Sequence, residues 1–201
     1  MPLLRHDPTG SFPDTSSATL ILLDVINDLE FEGGEGLYEQ ALPMAERLSA
    51  LKQRARSLSM ACIYVNDNFG RWRSDFTQQV QHCLGDGVRG EKIARLLVPA
   101  DDDYFVLKPK NSAFYGTTLE TLLEHLQAET LILTGLACDI CVLFSAGDAH
   151  MRNYHVVVPS DCVASERAED TSWALGLMQR ALSVSVCTAE GLDLAALQQP
   201  R

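Results

Sequence analysis

The sequence predicts an α/β protein with three layers, α-β-α, built around a doubly wound, mostly parallel six-stranded sheet. The first observation is a series of short apolar runs rich in Val, Ile and Leu, which is typical of strands buried on both faces. The second is that helix-like segments separate these runs along the whole chain, as they do where parallel strands follow one another. With 201 residues, of which 46% are hydrophobic, the chain is long enough for one domain with a sizeable core.

The predicted elements alternate regularly. The strands are short runs of four to six residues by pattern, and we place them at 19–24, 61–66, 104–107, 130–134, 155–159 and 184–188. Between them, apolar residues recur at helical spacing, which predicts helices at about 38–57, 89–97, 117–127, 139–152 and 166–181, with a short helix near the C-terminus.

The domain boundary is predicted from composition. Residues 1–17 are rich in Pro, Ser, Thr and Asp, which indicates an irregular N-terminal arm. No internal repeat, low-complexity tract or linker interrupts the remainder, so we expect residues 18–201 to form a single domain.

Charge and composition exclude several function classes. A formal charge of −11 and a pI near 4.8 argue against a broad nucleic-acid-binding face. The apolar run 18–23 is too short to span a bilayer and does not resemble a signal peptide, so we expect no membrane association and a cytoplasmic protein. The six cysteines are scattered in mostly apolar contexts, which favours reduced thiols over a disulfide framework.

Three reactive side chains come at the ends of predicted strands. Asp24 ends the first strand, Lys108 the third, and Cys141 follows the fourth. Because ligand sites of open α/β sheets form beyond the carboxyl ends of the strands, we expect these residues to share one site.

Cys141 lies at the predicted start of a helix, where unpaired N–H groups and the helix dipole favour a thiolate. This position suits a nucleophile with backbone donors for an oxyanion. Two alternatives remain open. Cys141 can be a buried structural thiol, or it can act with Cys138 as a CxxC redox pair. A structural zinc site is not expected, because no second pair of ligands with suitable spacing is present.

Three segments together resemble the isochorismatase-like cysteine hydrolases, a superfamily that includes nicotinamidases, N-carbamoylsarcosine amidases and isochorismatases. They are residues 22–28 (LLDVIND), 108–119 (KPKNSAFYGTTL) and 135–149 (GLACDICVLFSAGDA). Their order and spacing match the family over about residues 18–190. The resemblance implies the isochorismatase-like, Rossmann-type fold.

Carried over to this sequence, the resemblance implies a catalytic triad. Cys141 would be the nucleophile, Asp24 would take and return its proton, and Lys108 would hold both by charge. The backbone N–H groups of Ala137 and Cys141 would form the oxyanion hole, with a cis peptide expected between Leu136 and Ala137. A non-proline cis bond costs about 3–4 kcal/mol, so it would be kept only where it aims a donor.

The sequence departs from the family at two places. Ile26 and Leu29 stand where the family commonly has glutamine and phenylalanine, and both positions would line or support the pocket. The stretch after the second strand lacks the Asp-x-His pair of nicotinamidases, so we expect no metal site and no cofactor. Lys110 competes with Lys108 for the lysine role, but the Ser-Ala-Phe that follows favours Lys108.

Other residues are candidates for contacting the substrate. The segment 66–76 leaves the second strand at the expected site, either as a surface loop or as a lid or pocket wall. In the second case, Arg71 or Arg73 would meet a substrate carboxylate. The candidates from this segment and from the lysine segment are Asn66, Phe69, Arg71, Trp72, Phe114 and Tyr115.

We therefore predict a metal-independent cysteine hydrolase that cleaves a C–N bond of a small amide, ureide or carbamoyl compound through a thioester on Cys141. Isochorismatase-type hydrolysis of a vinyl ether is the alternative on the same fold. A thiol-disulfide protein that uses Cys138 and Cys141 is the alternative from another class. By resemblance to the family, we expect a small-molecule substrate and a homo-oligomer, either a dimer or a tetramer.

Overall fold

The protein is described from a computed structural model, which covers residues 15–68 and 75–199. Its strands are β1 (Ala18–Leu23), β2 (Ala61–Asp67), β3 (Tyr104–Lys108), β4 (Thr130–Leu136), β5 (His155–Pro159), β6 (Val163–Ala164) and β7 (Ser185–Cys187). The α-helices are α1 (Gly34–Ser57), α2 (Phe76–Gly85), α3 (Glu91–Leu96), α4 (Leu119–His125), α5 (Leu143–Met151), α6 (Ala168–Leu182) and α7 (Leu194–Leu197). A π-helical turn, Cys138–Val142, precedes α5.

The strands form one parallel sheet in the order β3-β2-β1-β4-β5-β7, and the short β6 pairs with β4. This confirms the predicted doubly wound α/β fold, but the described sheet has seven strands and not the six predicted, because the two-residue strand β6 is too short to give a sequence pattern. All residues of the central strands β1 and β4 are buried, as their apolar sequences ATLILL and TLILTGL predict. The chain winds outward from β1 in one direction and from β4 in the other. The two central strands therefore flank the topological switch point.

Two hydrophobic clusters, one on each face of the sheet, form the core. In the first, Leu20 and Leu22 of β1 pack with the apolar stripe of α1, including Leu48 and Leu51. In the second, alternate residues of the same strand, such as Ile21, pack against residues of α4, α5 and α6. This period-2 division of the strand residues produces the three layers.

Helix α2 is absent from the sequence prediction. Only Phe76 and Cys83 of this helix are buried, so its apolar stripe is too sparse for a periodicity argument. Its start is nevertheless marked, because the side chain of Asp75 accepts a hydrogen bond from Thr77 N at 2.7 Å as an N-cap.

The predicted helix at 139–152 is divided into the π-helical turn and α5. None of the described helices is long and apolar enough to cross a membrane. The predicted arm lies almost entirely outside the described residues, so the boundary at 17/18 stays a prediction.

Candidate active site

The ends of β1, β3 and β4 bring three polar side chains together at the carboxyl edge of the sheet. The ammonium Nζ of Lys108 lies 2.9 Å from Oδ2 of Asp24 and 3.5 Å from Sγ of Cys141. Asp24 and Lys108 are buried, and Cys141 is partly exposed. Lys110, the competing lysine, is exposed. The sequence analysis therefore selected the lysine that reaches the other two residues.

Asp24 is held in an uncommon backbone conformation directly after β1. Its φ is 52°, a left-handed value that costs a non-glycine residue about 1–2 kcal/mol. Two hydrogen bonds fix it: Asp24 N donates to Val65 O at 3.0 Å, and Asp67 N donates to Oδ1 of Asp24 at 2.7 Å. Both partners belong to β2, so the neighbouring strand orients the carboxylate.

The segment after β3 is anchored to α5, the helix that follows Cys141. Ser112 Oγ donates a short hydrogen bond to Oδ2 of Asp148, and Ala113 N donates to Ser145 Oγ at 2.9 Å. These contacts give the Ser-Ala sequence a physical role, because they hold the segment that follows β3 against α5.

Cys141 lies in the π-helical turn, in which Val142 N donates to Ala137 O across five residues. Such turns are frequent at functional sites. Immediately before it, Gly135 has a φ of 102°, and a Cβ at this position would come within 2.1 Å of Leu23 O. Glycine therefore allows the end of β4 to approach β1 and brings the cysteine turn beside Asp24.

The pKa values differ from the expectation of a thiolate at Cys141. Burial raises the pKa of the Cys141 thiol to about 12, and the charge of Asp24 adds to this increase while Lys108 opposes it. Burial also raises the pKa of Asp24, and Lys108 offsets part of the rise. Burial alone would lower the pKa of Lys108, but the surrounding negative charges raise it. The prediction was wrong on this point because it considered the helix start and not the desolvation of the thiol.

The expected cis peptide is a second correction. Within the described residues no peptide bond is cis, so the bond between Leu136 and Ala137 is trans. Ala137 has ordinary extended angles, φ −82° and ψ 145°, and the unusual backbone torsion falls on Gly135 instead. The positive φ near the end of β4 is therefore carried by a glycine, which adopts it without steric strain. The oxyanion-hole assignment to Ala137 and Cys141 stays a prediction.

Four of the five candidate substrate contacts that the structure describes are buried. Ile26 and Leu29 are fully buried in the first core cluster, and Asn66 is fully buried with its Nδ2 donating to Ile26 O at 2.7 Å. Phe114 packs in the second cluster, 6.1 Å from the ring of Tyr154. These four side chains therefore belong to the interior of the protein.

Among the other candidates, Tyr115 is exposed on the segment after β3. Phe69, Arg71, Trp72 and Arg73 lie outside the described residues.

The sequence analysis missed Asp67 as a residue of the site. Its Oδ2 lies 3.6 Å from Lys108 Nζ, the same ammonium that contacts Asp24. Asp67 ends β2, as Lys108 ends β3, and a search for every polar residue at a strand end would have found it.

Cys138 does not share the surroundings of Cys141. It is fully buried in the second core cluster, where Sγ lies 4.0 Å from Thr171 O, and burial raises the pKa of its thiol to about 12. These features are those of a structural thiol and give no support to a CxxC redox pair. In residues 15–68 and 75–199, no group of three or more His, Cys, Asp or Glu is arranged to hold a metal ion.

Sequence comparison shows what the chain is similar to. The profile of the isochorismatase domain matches residues 18–190. The isochorismatase family protein YaaI of Bacillus subtilis is 42% identical over 171 residues, which are 85% of this chain and 93% of that protein. The ureidoacrylate amidohydrolase RutB of Methylorubrum extorquens is 24% identical over 176 residues, 74% of this chain and 70% of that protein.

Structure comparison agrees on the fold. An isochorismatase family protein from Desulfovibrio vulgaris superposes with a TM-score of 0.72 at 23% identity, over 90% of this chain and 99% of that one. The N-carbamoylsarcosine amidase from Thermoplasma acidophilum superposes with a TM-score of 0.68 at 24% identity, over 88% and 99%.

Proposed function

The chain belongs to the isochorismatase family of hydrolases, and on this basis we propose that it is a cysteine hydrolase that cleaves a C–N bond of a small amide, ureide or carbamoyl compound. The observation that carries the proposal is the contact of Lys108 Nζ with both Asp24 and Cys141 at the switch point of the sheet. A thiol, a carboxylate and an ammonium are a set that can perform acyl transfer. The names of the amidohydrolase and amidase relatives favour C–N cleavage.

The first half of the reaction forms a thioester. Because the Cys141 thiol is protonated at neutral pH, Asp24 removes its proton as Sγ attacks the carbonyl carbon. The S–C bond forms and the carbonyl electrons move onto oxygen, where the backbone N–H groups of Ala137 and Cys141 donate to the oxyanion. Asp24 then gives its proton to the nitrogen as the C–N bond breaks, and the amine leaves.

The second half hydrolyses the thioester. Asp24, again a carboxylate, removes a proton from water as the water oxygen attacks the same carbon. The C–S bond breaks, and the sulfur regains the proton from Asp24. Throughout, Lys108 remains an ammonium, because the pKa of its side chain is raised, and it stabilises whichever neighbour is negative.

Isochorismatase-type cleavage of a vinyl ether is the second candidate. The observation in its favour is a 27% identity over 188 residues to an isochorismatase of Bacillus subtilis, although this chain covers only 59% of that protein. Product analysis separates the two, because C–N cleavage releases ammonia or an amine and vinyl-ether cleavage releases a carbonyl compound.

The test is an ammonia-release screen over small amides, ureas and carbamoyl compounds. We expect turnover in the wild type and none in Cys141→Ala. The matched control is Cys138→Ser, which removes a thiol three residues away and should remain active, since Cys138 lies in the core. Full activity in Cys141→Ala would overturn the proposal, and loss of activity in a folded Cys138→Ser would favour the redox alternative. Homo-oligomer formation stays a prediction, which sedimentation of the active protein checks.

A further inference from the structure

The segment that follows β5 is hydrogen-bonded both to the end of β4 and to the π-helical turn. Cys162 O accepts a hydrogen bond from Gly135 N at 2.9 Å, and the short strand β6 pairs with the last two residues of β4. Directly after β6, Ser165 Oγ accepts a hydrogen bond from Asp139 N at 3.2 Å. Residues 162–165 therefore fix the backbone immediately before the turn and at its start.

Ser165 is itself held in place. It is completely buried, and its N–H donates to Oγ1 of Thr171, in α6, at 2.9 Å. The N–H of Asp139 is one of the first donors of the turn, and such donors have no acceptor within their own turn. The serine oxygen supplies this acceptor. Removing it leaves the N–H without its partner, which favours a rearrangement of the turn.

The hydrogen bonds of Ala137 O show which arrangement the turn has. In an α-helix, this carbonyl would accept from the N–H of Cys141, four residues further on. Here it accepts from Ile140 N at 3.1 Å and from Val142 N at 3.2 Å, the residues on either side of Cys141. A return to α-helical hydrogen bonding would engage Ala137 O with the N–H of Cys141, the same group that the proposed mechanism assigns to the oxyanion.

We propose that Ser165 is a positioning residue for the hydrolase reaction. Its hydroxyl oxygen holds Asp139 so that the turn keeps its π-helical hydrogen bonds, and these keep the N–H of Cys141 from being taken up by Ala137 O. Ser165 acts through the backbone of the turn and not through the substrate. This inference rests on the proposed function, since an oxyanion forms only if Cys141 attacks a carbonyl.

The test compares two reactions of the same thiol, of which only one forms an oxyanion. Hydrolysis of an amide does so, whereas alkylation by iodoacetamide does not. In the alkylation the sulfur displaces iodide and forms an S–C bond, and the thiol proton is released to the buffer. Steady-state ammonia release gives kcat and KM, and peptide mapping by mass spectrometry gives the alkylation rate of Cys141.

In Ser165→Ala we expect kcat to fall about 10- to 100-fold with KM nearly unchanged, because the loss of a whole oxyanion donor costs about 10²–10³ in kcat. The alkylation rate of Cys141 should change by less than about threefold, since the thiol and its charged neighbours remain. The matched control is Ser160→Ala. The hydroxyl of Ser160 donates to Cys187 O, in β7, at 3.2 Å, so its loss should leave both rates unchanged.

Amide hydrogen exchange tests the hydrogen bond without a substrate. The N–H of Asp139 should exchange about tenfold faster in Ser165→Ala than in the wild type, because its acceptor is gone. Ser160→Ala should leave this rate unchanged. Urea unfolding confirms that both variants are folded under the conditions of the assay.

Three results would overturn the inference: an unchanged kcat in folded Ser165→Ala, an unchanged exchange rate of Asp139, or a parallel fall of kcat and of the alkylation rate. The last would show that the serine positions the sulfur and not the oxyanion donor. Failure of the proposed function gives a different result. The wild type would then release no ammonia, or Cys141→Ala would be as active as the wild type, and the inference would fall with it.

Discussion

Two buried lysine–aspartate pairs lie at opposite edges of the sheet and differ in how fully the lysine is held. At the amino edge, Lys52 Nζ lies 2.6 Å from Asp103, 2.8 Å from the Tyr64 hydroxyl and 3.1 Å from Val98 O. Asp103 also pairs with Arg56 at 2.8 Å. Every member of this network has close oxygen or nitrogen partners, so its charges are compensated within the fold.

At the carboxyl edge, and among the residues that the structure describes, Lys108 Nζ has one close oxygen, on Asp24 at 2.9 Å. Its other neighbours are the sulfur of Cys141 at 3.5 Å and the carboxylate of Asp67 at 3.6 Å. The same residue types thus form a fully hydrogen-bonded network at the amino edge. At the carboxyl edge the lysine has one close contact and two longer ones. Burial of a lysine–aspartate pair therefore does not itself indicate catalysis. What favours a catalytic role for Lys108 is its additional contact with a thiol, the proposed nucleophile.

Replacing each lysine by methionine is expected to give the largest difference in turnover between the two networks. Lys108→Met should lower turnover by about 10³-fold, because the ammonium stabilises the negative charge that moves among Asp24, Cys141 and the substrate. Lys52→Met should change turnover by less than about threefold and lower the free energy of unfolding by about 1–3 kcal/mol, since it breaks a satisfied buried network. Steady-state kinetics and urea unfolding check both variants. Equal losses of turnover would remove the distinction between the edges.

The backbone at the carboxyl edge is constrained at Gly135. Gly135→Ala should lower the free energy of unfolding by about 3 kcal/mol or more, because it combines a positive φ with a clash against a neighbouring strand. Gly176→Ala on α6 is the matched control. Nothing lies within 4 Å of its added Cβ, so it should stabilise the protein by about 0.5–1 kcal/mol. A tolerated Gly135→Ala would mean that β1 and β4 need not approach so closely.

Asp24→Asn should separate the reactivity of the thiol from catalysis. Turnover should fall by about 100-fold or more, because the proton carrier is lost. Alkylation of Cys141 by iodoacetamide at pH 8.5 should become faster, since Asp24 raises the pKa of the thiol and the amide does not. A parallel fall in both rates would show that Asp24 acts by holding structure instead of moving a proton.

The pH dependence of kcat/KM gives the smallest effect. Asp24 must be ionised to accept a proton, and its pKa is raised above 3.8, so the rate should fall as the pH falls through that raised value. The pKa of Lys108 lies above 10.5, so the rate should stay flat from neutral pH to about pH 9. Lys52→Met should show the same acidic limb. A rate that rises with pH through the usual pKa of a thiol would instead indicate that Cys141 loses its proton to solvent before it attacks, and not to Asp24.

The positions of the three proposed catalytic residues could be predicted from the sequence, because the ends of parallel strands meet at one edge whatever the details of packing. Asp24, Lys108 and Cys141 each end or follow a strand, and the sheet order then brings them together. The six predicted strands are all present, with bounds that differ by two residues at most.

What the sequence could not predict depends on the surroundings in three dimensions. The state of the Cys141 thiol follows from desolvation and from the neighbouring charges, which no local pattern contains. The burial of Ile26 and Leu29 follows from how residues 24–30 fold back onto the first core cluster. Asp67 could have been found, since it ends a strand as Lys108 does.

In the proposed mechanism, Cys141 carries the acyl group of the substrate during turnover. Rapid quenching of the wild type with an ammonia-releasing substrate, followed by mass spectrometry, measures this directly. We predict an adduct whose mass equals the acyl portion, located on the peptide that contains Cys141, formed and lost at rates that account for turnover. Sustained turnover with no adduct on that peptide, or an adduct that persists unhydrolysed, would contradict the account.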